Sequence, residues 1–143
     1  MRIDYICKPN LKLAIAVWDG SVTWDNWQAH LHRMFSDPAY APMQIQITDL
    51  RFSSINPTIS NDEIQAMRNL LADQRERFSL NKVAIVAGDD WSKPKLAEFA
   101  LQTISVNSIV FNDLNTACLW LGVNVVEVGQ DIEQIRIKLR QNP

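Results

Sequence analysis

The chain has 143 residues, 47% of them hydrophobic and 21% charged, which is near the commonest size of a single domain and enough to bury roughly two-thirds of its unfolded surface. A formal net charge of -2, with acids set among bases as in Asp73-Gln74-Arg75-Glu76-Arg77, excludes the clustered Lys/Arg footprint of a nucleic-acid binder. No apolar run approaches the roughly 20 residues of a membrane span, and Asp4 falls where a signal peptide needs apolar residues. Cys7 and Cys118 have neither metal nor redox spacing, so the expectation is a cytoplasmic protein with two buried, reduced thiols.

Ile3, Tyr5 and Cys7 alternate with Arg2 and Asp4, predicting a first strand over residues 2–8. Leu11, Leu13, Ile15 and Val17 repeat that period in a second strand, which Gly20 ends. Pro9 and Asn10 at the centre of Lys8-Pro9-Asn10-Leu11 predict a tight antiparallel hairpin between the two. Thr23 caps a helix to about Phe35, with Trp24, Trp27, Leu31, Met34 and Phe35 on its core face.

Gln44-Ile45-Gln46-Ile47-Thr48 reads as a third strand with one apolar and one polar face, followed by an irregular segment from Arg51 to Ile59. Ser60-Asn61-Asp62-Glu63 is a capping box opening a helix that buries Ile64, Met67, Leu70 and Leu71 and runs to about Arg77. Val83-Ala84-Ile85-Val86-Ala87 is apolar without alternation, as a strand covered on both faces requires. A helix over about 93–103, a fifth strand over Val106–Phe111 and a short helix Leu114–Leu121, capped by Asp113 or Asn112, come next. Val125, Val128, Ile132, Ile135 and Leu139 then make a stripe on one C-terminal helix, roughly 124–140, with Gly129 on its outer face. The whole is a single α/β domain of 1–143: a five-stranded, mostly parallel sheet with an antiparallel N-terminal hairpin.

This order, with several local motifs, resembles the STAS superfamily (sulfate transporter and anti-sigma factor antagonist), in particular its SpoIIAA-like bacterial branch. The motifs are Gly20-Ser21-Val22-Thr23-Trp24 at the entry to the first helix, Asp37-Pro38-Ala39-Tyr40, Asp49-Leu50-Arg51, Lys82-Val83-Ala84-Ile85-Val86, and Val110-Phe111-Asn112-Asp113-Leu114 with Ala117 and Trp120-Leu121. The resemblance implies a non-enzymatic regulatory or protein-interaction module. Antagonist members are switched by phosphorylation of a serine in a D-S-x-G loop. Here Arg51-Phe52-Ser53-Ser54-Ile55-Asn56-Pro57-Thr58-Ile59-Ser60 has neither the Asp-Ser pair nor the glycine. Relatives in the branch also suggest the binding of a small apolar ligand.

Three readings follow. The first is an interaction module that uses the loops at strands three and four, through Asp49, Arg51, Ser53, Ser54, Asp89, Asp90 and Trp91. The second is a carrier or sensor holding a small apolar ligand between helices and sheet. The third is an enzyme using Asp19, Asp49, Asp89, Asp90 and Asp113 at strand ends for metal or phosphoryl chemistry; acids there more commonly cap helices, and no P-loop glycine pattern or base completes such a site. No catalytic residue, metal or cofactor is assigned. His30 and His32 point to different faces of one helix, cannot share a metal, and read as surface residues. Ile137 lies off the C-terminal stripe, where a modest homodimer contact is expected.

Overall fold

The computed structural model describes residues 2–55, 60–88 and 107–141. Five strands form one sheet in chain order: β1 (Ile3–Lys8), β2 (Leu13–Val22), β3 (Ile45–Ile55), β4 (Lys82–Val86) and β5 (Asn107–Phe111). β1 and β2 pair antiparallel, and every later neighbour pairs parallel. The hairpin turns where Pro9 and Asn10 place it, closed by Leu11 N–H donating to the Lys8 carbonyl at 3.1 Å. β2 starts at Leu13 rather than Leu11, whose side chain is exposed beyond the turn.

Because the parallel strands follow one another in a single direction, the right-handed crossovers α1 (Trp24–Phe35) and α2 (Asn61–Gln74) fall on the same face of the sheet. α3 (Leu114–Leu121) and α4 (Val125–Gln141) come after the last strand and cover the opposite face, α4 lying across β2 and β1. Local signals set the helix starts. Thr23 and Ser60 each close a capping box, the first with Asn26 and the second with Glu63. Asp113 accepts from the Thr116 N–H at 2.7 Å, and Asn124 from the Glu127 N–H at 3.0 Å. α3 ends at Gly122, whose left-handed φ of 75° lets the chain turn directly into α4.

Two cores result, one on each face. Under α3 and α4 it is almost wholly aliphatic: Leu13, Ile15, Val17, Ile47, Ala84 and Val86 of the sheet meet Val128, Ile132, Ile135 and Leu139. The predicted stripe is therefore the buried face of α4. Gly129 does not face outward: a Cβ there would sit 3.8 Å from Leu114, so the glycine lies against α3. Under α1 and α2 the core adds aromatic rings to its aliphatic and methionine side chains, with Trp27 edge-on to both Trp18 and Trp24 at ring separations of 5.4 and 6.2 Å.

That second face corrects three expectations. Gln46 and Thr48 are not an exposed polar face of β3 but are buried, joined as a chain in which Tyr40 Oη donates to Gln46 Oε1 (2.6 Å) and Gln46 Nε2 to Thr48 Oγ1 (2.9 Å). His30 is not a surface residue; its ring is buried edge-on to Tyr5 at 5.7 Å. Of the two thiols only Cys118 is fully buried, since Cys7 lies half-exposed at the sheet edge.

Candidate functional site at the carboxyl ends of the strands

In an open parallel sheet, ligands and partners gather beyond the carboxyl ends of the strands. Here the parallel strands β2 to β5 never reverse their order, so they make no switch-point crevice, and irregularities in the strands shape this end instead.

The main irregularity is in β3. Asp49 pairs with Val17 and Phe52 with Asp19, so Leu50 and Arg51 together oppose the single residue Trp18. This is a β-bulge, which adds a residue to one strand and reverses the facing of everything after it. Asp49 holds it from within. The Arg51 backbone N–H and Nε both donate to Asp49 Oδ1 at 3.0 Å, and Arg51 Nη2 donates to Oδ2 at 2.8 Å. Ser53 Oγ donates to the Leu50 carbonyl at 2.9 Å and closes the far side. Asp49 is fully buried with both carboxylate oxygens paired to Arg51, and the hydrogen bonds from Arg51 to that carboxylate hold the guanidinium pKa above its ordinary value.

The bulge also overturns two expected strand ends. β3 does not stop at Asp49-Leu50-Arg51 but runs on to Ile55, so what reads as the start of an irregular segment is strand. β2 passes through Gly20 to Val22. Gly20 has φ of 82°, and a Cβ there would meet Arg2 Nη1 at 2.6 Å, so the glycine serves close approach of the Arg2 side chain rather than termination.

Beyond the bulge, Phe52 lies on the α4 side beside Asp19. The Arg136 guanidinium of α4 lies over the Phe52 ring at 3.4 Å, and the Arg51 guanidinium sits 5.0 Å from the same ring. Arg136 Nε and Arg140 Nε approach Asp19 Oδ2 at 3.5 and 3.4 Å. Phe52 nevertheless remains 37% exposed, and Ser54 is exposed after it.

Of the residues singled out in the sequence, the structure thus gathers Asp49, Arg51 and Ser53 into one bulge and presents Ser54 beyond it. Asp89, Asp90 and Trp91 lie outside the described residues, as does the helix expected over 93–103. Asp19 and Asp49 lie within strands rather than at their ends, and Asp113 caps α3; among the described residues no group of His, Cys, Asp or Glu side chains is placed to hold a metal. Phe52 and Arg136 are the residues that sequence reasoning missed. Phe52 follows Leu50 by two residues, so alternation alone would place it on Leu50's face, and Arg136 sits beside the helix stripe, so neither stands out in the periodicity. No known family model matches the chain, and no curated protein is similar to it.

Proposed function

We propose that the chain is a regulatory, protein-interaction module of the STAS-like kind, engaging its partner at the carboxyl ends of β2 and β3. One observation carries this reading: the β3 bulge ties Asp49, Arg51 and Ser53 into internal bonds while leaving the Phe52 ring and the Ser54 hydroxyl on the surface. A surface of that make-up, an aromatic ring edged by guanidinium groups, suits protein recognition, in which aromatic and arginine side chains supply most of the anchoring energy. The resemblance of chain order and motifs points to the same class. The exposure of Ile137 at 47% on α4 supports the expected self-association on that side of the molecule.

The test is site-specific photo-cross-linking in the protein's own cells, with the photoreactive residue at Ser54 and, as a control, at exposed Gln28 of α1. The proposal expects a discrete adduct from position 54, absent from position 28 and lost when Phe52→Asp is added. Identical adducts from both positions would overturn it.

A further inference from the structure

β1 borders the sheet, and its ladder with β2 fixes which backbone groups it leaves unpaired. Asp19 N–H donates to the Arg2 carbonyl at 2.9 Å, so the even-numbered residues 2, 4, 6 and 8 exchange the bonds with β2. The N–H and C=O groups of Ile3, Tyr5 and Cys7 therefore point out of the sheet. Open edges of this kind invite pairing unless they are guarded. Among the described residues the guard covers one end only: Asp4 Oδ1 accepts the outward Tyr5 N–H at 2.8 Å, and Arg33 of α1 and Lys138 of α4 meet the same carboxylate from either side of the sheet.

The other end stands open between two surface grooves. One, of about 420 Å³, lies on the α1 side and is lined by Tyr5, Ile6, Cys7, Arg33, Asp37 and Ala39. The other, of about 560 Å³, lies on the α4 side and includes Asp4, Ile6, Asp131, Ile137 and Lys138. Ile6 lines both. The strand itself reads Asp4-Tyr5-Ile6-Cys7-Lys8, with an acid two residues before Ile6 and a base two residues after it.

We infer that β1 is a self-pairing edge, through which two copies of this chain join their sheets antiparallel about a twofold axis at Ile6. The register follows from that symmetry. Ile6 faces Ile6 of the second copy, Tyr5 and Cys7 exchange backbone hydrogen bonds across the axis, and Asp4 meets Lys8 of the second copy at both ends. Such an isologous contact requires one patch to complement itself, and the Asp4-Ile6-Lys8 face meets that condition. Lys8 retains capacity for it: its ammonium has three donors, and Glu127 and Asp131 take two, each at 2.7 Å. On pairing, the Tyr5 N–H exchanges the Asp4 carboxylate for the Cys7 carbonyl of the second copy. The α4 groove brings the exposed Ile137 side chains toward each other, so the inference rests on and specifies the self-association reading above.

The experiment measures backbone amide exchange in the full chain at low and high protein concentration, together with sedimentation of the wild type, Cys7→Pro and Ile137→Glu. Proline at position 7 removes an outward N–H and leaves the β2 ladder intact. The expected result is a dimer in which Tyr5 and Cys7 amides exchange roughly tenfold or more slowly at high concentration while that of Ile3, beyond the paired register, does not change. Cys7→Pro should be monomeric. The exchange data on the wild type stand whether or not that variant folds. A wild type that is monomeric throughout overturns the inference. So does a dimer that leaves the Cys7 amide unprotected and yields to Ile137→Glu alone, an outcome that would keep the α4 contact and discard the paired strands.

Discussion

The two faces of the sheet solve the same packing problem with different chemistry. Under α3 and α4 the core is built from Leu, Ile and Val side chains with the stripe of one helix laid across them. Under α1 and α2 the core holds tyrosines, tryptophans, a neutral histidine and the buried Tyr40–Gln46–Thr48 chain. An aliphatic face gains its stability from area and shape, whereas a mixed face depends on each polar atom finding its partner. The first should therefore fail by losing volume and the second by losing a bond or gaining a charge.

The largest loss is expected on the aliphatic face. Ile132→Ala empties part of a site that is only 2% exposed and should cost about 2–5 kcal/mol in denaturant unfolding. A cost below about 1 kcal/mol would mean that α4 does not seal this core, since exposed positions give values of that size.

On the mixed face the decisive variable is pH. Burial, with the nearby Arg33 charge adding to it and Asp4 opposing it, lowers the His30 pKa from its ordinary 6.5 to about 4. The folded state therefore resists a proton that the unfolded chain accepts. Stability from this source is complete above pH 6.5 and falls as the pH drops toward 4, by about 3 kcal/mol over that window. Asp4 has its pKa lowered: burial works against its ionised form, but Arg33, the Tyr5 N–H and Lys138 outweigh that effect. Asp37 is lowered by the Tyr5 hydroxyl and the Ala39 N–H. Both, like Asp113, are carboxylates whose contribution starts to fall about a unit above their ordinary value of 3.8 and is lost mostly below it, so the comparison with His30→Phe, not the pH window alone, isolates the histidine. Unfolding curves at pH 7, 5.5 and 4.5 should show the decline in the wild type and a much flatter profile in His30→Phe; parallel profiles would refute the assignment.

A smaller effect tests the buried polar chain. Tyr40→Phe strands Gln46 Oε1 in the core and should cost about 1–2 kcal/mol. An unchanged midpoint would show that the hydroxyl is dispensable. Smallest is Ser60→Ala, which opens a capping box away from both cores and should cost about 1 kcal/mol.

The same contrast explains what was legible in the sequence. Residues whose role depends on near neighbours announce themselves: Pro9 and Asn10 in the hairpin turn, Ser60 with Glu63, a cap at Asn112 or Asp113, and the heptad-like stripe from Val125 to Leu139. Residues whose role depends on distant partners do not. His30 reads as exposed because nothing beside it reveals Tyr5 across the layer, and Gln46 and Thr48 look like a solvent face because Tyr40 satisfies them from another element. The candidate site is the extreme case. Asp49, Arg51, Ser53 and Ser54 are visible as a polar stretch, but the extra residue at Leu50–Arg51 reverses the facing of β3, and periodicity carries no mark of that reversal. Phe52 and its pairing with Arg136 appear only once the register is known.

That reversal is the claim on which the proposed surface depends, and Phe52 reports on it directly. With the bulge in place, the Phe52 ring faces α4 with the Arg136 guanidinium 3.4 Å above it, rather than pointing into the mixed core under α1 and α2. Proton NMR of the Arg136 side chain provides the measurement. The δ and ε protons should be shifted upfield by the ring current and return toward ordinary positions in Phe52→Leu, with Trp18 and Trp27 signals unaffected. Arg136 protons at ordinary positions in the wild type, with Trp18 and Trp27 signals moving on substitution, would place Phe52 on the opposite face and contradict the bulge.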